Sequence, residues 1–200
     1  MAERVQERER ALVVDVLTRI ADGRIRLPRA ERNHEAMTRE KALRILGATP
    51  QRLRDLVHDL SPAQLGRQPA DGEWTISEIV NHLLLGERDV ILPRLRRMRE
   101  EDAPSFPSSL DDRTGFAAAP IADEAGWDVE RFRLVRHETL AFLRALEEAD
   151  WHRRGTTPTR GTLTIEAYVE YLAAHDVEHL AHLQQLRARV TGEGSHAASS

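Results

Sequence analysis

Hydrophobic residues recur every three or four positions along most of the chain, the spacing of one face of an α-helix. This spacing predicts helices over about residues 35–59, 129–148 and 165–190, and a fourth that begins at Ile76. A further helical pattern lies near the N-terminus and stops at Gly23. No run shows the strict alternation that is typical of a strand. We therefore expect an all-α fold: a four-helix bundle with an additional N-terminal helix.

Capping signals refine the helix ends. Thr75 and Glu78 match a capping box, in which each side chain accepts a hydrogen bond from the other residue's backbone. Asp128 and Thr164 are predicted to cap the last two helices. Pro93 lies inside the helix that starts at Ile76, and we expect it to kink or interrupt that helix.

The helices and connecting segments divide the chain into three parts. Residues 1–35 are expected to form an N-terminal helical extension, 36–190 the bundle, and 191–200 a disordered tail. The proline- and serine-rich segment 103–127 is long for a bundle loop, and we expect it to wrap over one end.

Composition excludes several classes of protein. The 200 residues suffice for one domain, and the net charge of −4 gives no general attraction to nucleic acid. The absence of cysteine excludes disulfides, thiolate metal sites and cysteine nucleophiles. No apolar run is long enough to span a membrane, and the charged N-terminus does not resemble a signal peptide. We expect a cytoplasmic protein with a small-molecule substrate and neither a nucleic-acid nor a membrane partner.

The stretch YLAAHDVEHLAHLQQL places three histidines within eight residues of the last helix. His175 and His179 are four positions apart and therefore share a helix face, so both imidazoles can reach one metal ion. His182 lies one turn further on, and three collinear imidazoles do not easily bind a single ion. A surface pair with this spacing by chance is the alternative.

His82 lies in a second apolar helical stretch, EIVNHLLLGE. A lone histidine there would usually be a hydrogen-bonded core residue. Two separate helices that both turn histidines inward favour a shared site instead. Three neutral imidazoles and an open fourth position are typical of catalytic zinc sites.

Two motifs carry a resemblance to a known family. WTISEIVNHL fits the pattern W-[ST]-x-x-E-x-x-x-H-L, and HDVEH follows in the last helix. With these motifs, residues 36–190 resemble the DinB-like family, damage-inducible bacterial four-helix-bundle proteins that are unrelated to the DNA polymerase of similar name.

The resemblance implies a metal site and a range of activities. It implies that His82, His175 and His179 hold a divalent metal, which is zinc, nickel or iron among relatives, and that His182 is not a ligand. Some relatives use a low-molecular-weight thiol, mycothiol or bacillithiol, and members often form homodimers. Many relatives carry a histidine at the position of Thr157, so the role of that histidine would have to be filled by another group in this chain.

Two further residues are candidates for catalytic roles. Asp176 is able to orient an imidazole as an outer acceptor, although a solvated carboxylate would look the same in the sequence. Arg136 could hold a substrate carboxylate through its planar fork, and a structural salt bridge is the alternative. Glu87 would point about 140° away from His82 on an ideal helix. Trp74 is interpreted as a packing anchor.

Three hypotheses for function remain open at this point. The first, which the sequence and the resemblance lead us to favour, is a metal-dependent transferase that activates a low-molecular-weight thiol for attack on a small electrophile. The second is a metal-dependent hydrolase that uses metal-bound hydroxide. The third is a non-enzymatic, stress-related metal-binding or dimeric protein.

Overall fold

We describe the fold from a computed structural model, which defines residues 37–70, 73–107, 125–157 and 160–192. The predicted N-terminal helix and extension, most of the predicted wrapping loop, and the predicted tail beyond residue 192 lie outside the described residues. The expected domain boundaries therefore stay predictions.

Four long helical segments form the bundle, which confirms the predicted fold class. They are α1 (Arg39–Val57), α3 (Ile76–Leu85) with its continuation through a π-helical segment (Gly86–Ile91) into α4 (Leu92–Glu100), α5 (Ala125–Arg144), and α7 (Ile165–Thr191). Short elements connect them: α2 (Pro62–Leu65), α6 (Glu148–Trp151), β1 (Arg154–Thr157) and β2 (Gly161–Thr164). Among the described residues, no helix combines the length and apolar character that crossing a membrane requires.

The helix ends follow the capping signals in two of three cases. Thr75 and Glu78 form the predicted capping box, and Thr164 accepts a hydrogen bond from the Ala167 N–H. The predicted cap at Asp128 is wrong, because α5 begins three residues earlier and Asp128 lies buried in its first turn. There it pairs with Arg131 across one helical turn, at 3.2 Å.

A π-helical segment precedes Pro93. The Leu92 N–H donates to the carbonyl of Glu87, five residues earlier, instead of the usual four. α4 then starts at Leu92, so Pro93 is the second residue of that helix, a part of a helix in which proline is tolerated. The predicted interruption of the helix is confirmed: it is a wider, π-helical turn that precedes Pro93.

β1 and β2 pair antiparallel, from Arg154 opposite Thr164 to Thr157 opposite Gly161. The prediction that the chain has no strand is therefore wrong for this short hairpin. Four residues in each strand are too few for a periodic pattern to emerge. The hairpin leads directly into α7 and so lies next to the start of the helix that carries two of the candidate ligands.

The bundle core consists of two hydrophobic clusters, one toward each end. In α7 the first cluster runs from Ile165 to Ala173 and the second from Leu180 to Val190. Between them the interior is polar. Its buried or half-buried members come from all four long helical segments: Thr49, His82, Glu87, Arg136, Thr139, His175, Asp176 and His179.

Candidate metal centre

Three histidines from two helices meet in this polar layer. α3 supplies His82, and α7 supplies His175 and His179, one helical turn apart. One ligating nitrogen from each imidazole lies within 4.8 Å of the other two. The Nε2 atoms of His175 and His179 are 3.0 Å apart. Among the described residues, no other histidine or carboxylate joins this cluster.

The cluster fits a divalent metal ion. Two nitrogens that each lie 2.0–2.1 Å from one ion are about 2.9 Å apart at a right angle and about 3.3 Å apart at a tetrahedral angle. The observed separation of 3.0 Å falls between these limits. In addition, Nδ1 of His175 is buried and has no hydrogen-bond partner within the described part of the chain. The two Nε2 atoms are also within hydrogen-bond distance of each other, so the pair needs no other protein partner at these atoms and presents both to the centre of the cluster.

Burial keeps the three imidazoles neutral. Desolvation lowers the pKa of His82 to about 4, and the charge of His179 lowers it further. The pKa values of His175 and His179 are also lowered to about 4, again chiefly by burial. Neutral imidazole is the form that binds a metal, so all three side chains are available as ligands near neutral pH.

Arg136 lies at the centre of the polar layer, with 1% of its surface exposed. Its guanidinium donates five hydrogen bonds, with two to Glu87, two to Asp176 and one to the Leu46 carbonyl. These use all five of its N–H groups. Because Leu46 is in α1, Glu87 in the π-helical segment and Asp176 in α7, Arg136 bonds to each of the other three long helical segments.

The bond to Leu46 has a local cause in the sequence. Pro50 lies inside α1 and has no N–H, so the Leu46 carbonyl four residues earlier lacks its usual helical partner. Arg136 Nη1 donates to that oxygen at 3.2 Å. The side chain from α5 thus replaces the hydrogen bond that the proline removes.

Glu87, Arg136 and Asp176 form a buried ionic triad. Burial opposes the charge on Arg136, but Asp176 and Glu87 together outweigh it and raise the pKa of the guanidinium above its usual value. With both carboxylates ionised the triad carries one net negative charge. This charge adjoins the histidine cluster, because Asp176 directly follows His175.

The structure gives definite positions to the other sequence candidates. Asp176 is buried, and both its oxygens accept from Arg136, so it makes no hydrogen bond to an imidazole in the described region. Arg136 is in a salt bridge rather than free to hold a substrate. Glu87 is part of the triad and does not join the histidine cluster. His182 is half-buried and outside the cluster.

Aromatic rings border the cluster on two sides. The Trp74 ring lies 5.0 Å from the His82 ring and 6.5 Å from the His179 ring, between centroids. The Tyr171 ring lies 5.9 Å from that of His175. Tyr171 was missed in the sequence, although its position four residues before His175 on one helix face was the available signal.

This fold and this cluster together define a class: a four-helix-bundle protein with three inward histidines suited to a divalent metal. The sequence profile of the DinB superfamily matches residues 45–183. The chain therefore belongs to the DinB superfamily.

Two relatives and one solved structure are similar to this chain. The protein YuaE of Bacillus subtilis strain 168, described as uncharacterized, is 24% identical over 144 residues, which cover 66% of this chain and 88% of YuaE. YfiT of the same strain, named as a candidate metal-dependent hydrolase, is 23% identical over 153 residues, or 76% of this chain and 85% of YfiT. The structure of YfiT, described as having an unusual four-helix-bundle topology, matches with a TM-score of 0.65 at 22% identity. That match covers 84% of this chain and 94% of the other.

Proposed function

We propose that this protein is a divalent-metal-dependent hydrolase whose metal ligands are His82, His175 and His179. The single observation that carries the proposal is the convergence of three imidazole nitrogens within 4.8 Å, from two helices, in the polar middle of the bundle. The similarity to YfiT, which is named as a candidate metal-dependent hydrolase, supports the choice of reaction.

A bound divalent ion would polarise a substrate oxygen and lower the pKa of a water or thiol ligand. The chain's own contribution is to hold three neutral imidazoles in place. Their low pKa values keep them unprotonated at neutral pH, so protons do not compete for the ligating nitrogens. With three described protein ligands, a zinc-like ion would have a coordination position left for substrate.

The buried triad affects the site in two ways: it holds the ligand-bearing helix in place, and it supplies a negative charge nearby. Arg136 engages both oxygens of Glu87 and both of Asp176, so neither carboxylate is available to exchange a proton without breaking that network. Asp176 adjoins His175 in α7, and the fixed ion pair therefore limits rotation of the helix that presents the ligands. The triad's net negative charge also favours a cation in the adjacent cluster.

Thiol transfer is the other candidate reaction, and it stays a prediction from the sequence. The same free coordination position would suit a low-molecular-weight thiol, which must come from outside because the chain has no cysteine. An assay with and without added thiol distinguishes the two reactions: a hydrolase consumes an electrophile without thiol, and a transferase requires it.

Metal content and activity should be measured together on untagged protein. The wild type is stripped of metal, reconstituted separately with zinc, nickel and iron, and assayed against a panel of activated esters and amides. His179→Ala removes a proposed ligand. His182→Ala is the matched control, because it removes a half-buried histidine of the same helix that lies outside the cluster.

We expect about one ion per chain in the wild type and in His182→Ala, and little or none in His179→Ala. Hydrolysis should follow metal content across all three proteins. Failure of the wild type to bind any of the three metals would overturn the proposal. Hydrolysis that is equal in His179→Ala and the wild type would also overturn it.

A further inference from the structure

Arg160 lies in the hairpin turn beside the histidine cluster, and its guanidinium stacks on Tyr171. Its Cζ atom is 3.5 Å from the centre of the Tyr171 ring. Tyr171 in turn lies against His175, with 5.9 Å between the ring centres. The aromatic ring therefore links an exposed cation to the edge of the proposed metal site. The positive charge of Arg160 also contributes to the low pKa of His175.

The backbone around Arg160 is held in place by Thr157. The Thr157 hydroxyl oxygen accepts a hydrogen bond from the Arg160 N–H at 3.2 Å, and Thr157 is itself buried. Gly161 follows with φ of +67°, a conformation that favours glycine. The threonine thus anchors the backbone N–H of the residue that carries the cation.

Arg160 has no carboxylate partner among the described residues, unlike Arg136. All five N–H groups of Arg136 are used inside the protein, which leaves none for a ligand. The guanidinium of Arg160 stacks on the face of Tyr171 and makes no hydrogen bond or ion pair within the described region, and a stacked arginine keeps its N–H edge open to a further partner.

Charge then indicates what that partner is. Three neutral imidazoles leave the charge of a bound divalent ion uncompensated by its ligands. The triad's single negative charge offsets only part of the charge of a divalent ion, so a second cation at the edge of the site is still repelled unless an anion lies between the two. The planar fork of arginine matches the oxygens of a carboxylate or a phosphate.

We infer that Arg160 is the anion-binding residue of this site, and that the substrate carries a carboxylate or phosphate group that Arg160 holds while the reacting group lies at the metal. This inference rests on the proposed function and adds the substrate class. It makes Arg160 a specificity-determining residue, with Tyr171 as its platform and Thr157 as the residue that positions its turn.

Binding of small anions to the cobalt-loaded protein tests the inference, because the visible spectrum of bound cobalt reports changes at its coordination sphere. Acetate and inorganic phosphate are the probes, and acetamide is the neutral control, all at constant ionic strength. Arg160→Gln removes the charge. Arg154→Gln is the matched control, since Arg154 is an exposed arginine at the other end of the same hairpin.

We expect Arg160→Gln to weaken binding of at least one anion by roughly tenfold, the size expected for one charge-assisted hydrogen bond. Arg154→Gln should stay within about twofold of the wild type, and acetamide should not distinguish the variants. Arg160→Lys should fall between wild type and Arg160→Gln, because it keeps the charge and loses the fork. The anion with the larger effect identifies the group as carboxylate or phosphate.

Two results would overturn the inference, and they differ in what else they overturn. If the wild type binds cobalt but Arg160→Gln binds both anions as the wild type does, the substrate class is wrong and the proposed function stands. If the wild type binds no cobalt, the proposed function fails and the inference fails with it.

Discussion

Arg136 Nη1 and Asp176 Oδ2 lie 2.6 Å apart in the bundle interior, and Asp176 directly follows the candidate metal ligand His175. The position of the ligand-bearing helix is therefore tied to a side chain of α5. Through Glu87 the same guanidinium reaches the π-helical segment that follows the His82 helix. One arginine thus connects the two helical segments that supply the three imidazoles.

Removal of the arginine should be strongly destabilising. We expect Arg136→Met to lower the free energy of unfolding by about 3–5 kcal/mol, because it leaves two buried carboxylates without their partner. Denaturant unfolding of the metal-free protein measures this loss. The triple variant Glu87→Gln, Arg136→Met, Asp176→Asn should be less destabilised than Arg136→Met, since it also removes the unpaired charges. An Arg136→Met protein within about 1 kcal/mol of the wild type would contradict the described role of the triad.

The metal-free protein should lose stability as the pH falls from 6.5 toward 4. The folded-state pKa values of His82, His175 and His179 are about 4, below the ordinary value of 6.5. Between pH 6.5 and 4, these histidines bind protons in the unfolded chain but not in the folded chain. Their contribution to the free energy of unfolding is therefore complete above pH 6.5 and is lost as the pH falls.

Thermal unfolding across this pH range measures the effect. A variant with all three histidines changed to glutamine provides the control, because it retains every carboxylate that also titrates at low pH. We expect the wild-type Tm to fall further than that of the control, by at least several degrees, which corresponds to about 1 kcal/mol or more. Parallel pH profiles would show that the imidazoles are not buried as described.

Gly155 in β1 should not tolerate a side chain. A Cβ atom there would lie 2.6 Å from Phe106 Cε2 and 2.8 Å from Met98 Cγ. We expect Gly155→Ala to cost about 1–3 kcal/mol of unfolding free energy, because both neighbours are in the packed core. Gly126→Ala in α5 is the control, since a Cβ there meets nothing within 4 Å and alanine favours a helix. Equal stability of the two variants in denaturant would contradict the described packing of the hairpin.

The capping box at α3 should contribute to stability without contributing to metal binding. Thr75→Ala removes the acceptor of the Glu78 N–H bond, and we expect it to cost about 1 kcal/mol. Thr75→Ser keeps the hydroxyl and should restore most of the loss. Because His82 lies seven residues further along, two helical turns away, metal content should stay at about one ion per chain. Loss of metal in Thr75→Ala would mean that the helix end and the site are coupled.

Local signals in the sequence predicted much of the fold. The helical periodicity identified the four long segments, and the caps at Thr75 and Thr164 placed two helix starts at the correct residue. Asp128 failed as a cap because aspartate also occurs in the first turn of a helix, where its charge is favourable. The hairpin was missed because strands this short are specified by tertiary contacts, including the close packing of Gly155 on Met98 and Phe106.

The histidines of the site could be identified from the sequence, and their surroundings could not. Spacing on one helix paired His175 with His179, and a second apolar helical stretch pointed to His82, which the resemblance to the DinB-like family then also implied. The partners of Arg136 could not be predicted, because Glu87 and Asp176 are far from it in the sequence and meet it only when the bundle packs. Arg160 gave no signal either, because its proximity to Tyr171 arises only when the hairpin folds back beside α7.

The π-helical segment Gly86–Ile91 changes how positions must be counted along this helix. In an unbroken α-helix each further residue turns the side-chain direction by about 100°, so one extra residue shifts every later position by that angle. Here a hydrogen bond spans five residues, from the Leu92 N–H to the Glu87 carbonyl, which accommodates one residue more than an α-helical turn. The segment therefore acts as a one-residue insertion in the helical register. Removal of one residue there would restore the α-helical count and turn α4 by about 100° relative to the helix that carries His82. The buried Leu92, Leu95 and Met98 would then leave their core positions, although every functional side chain would still be present.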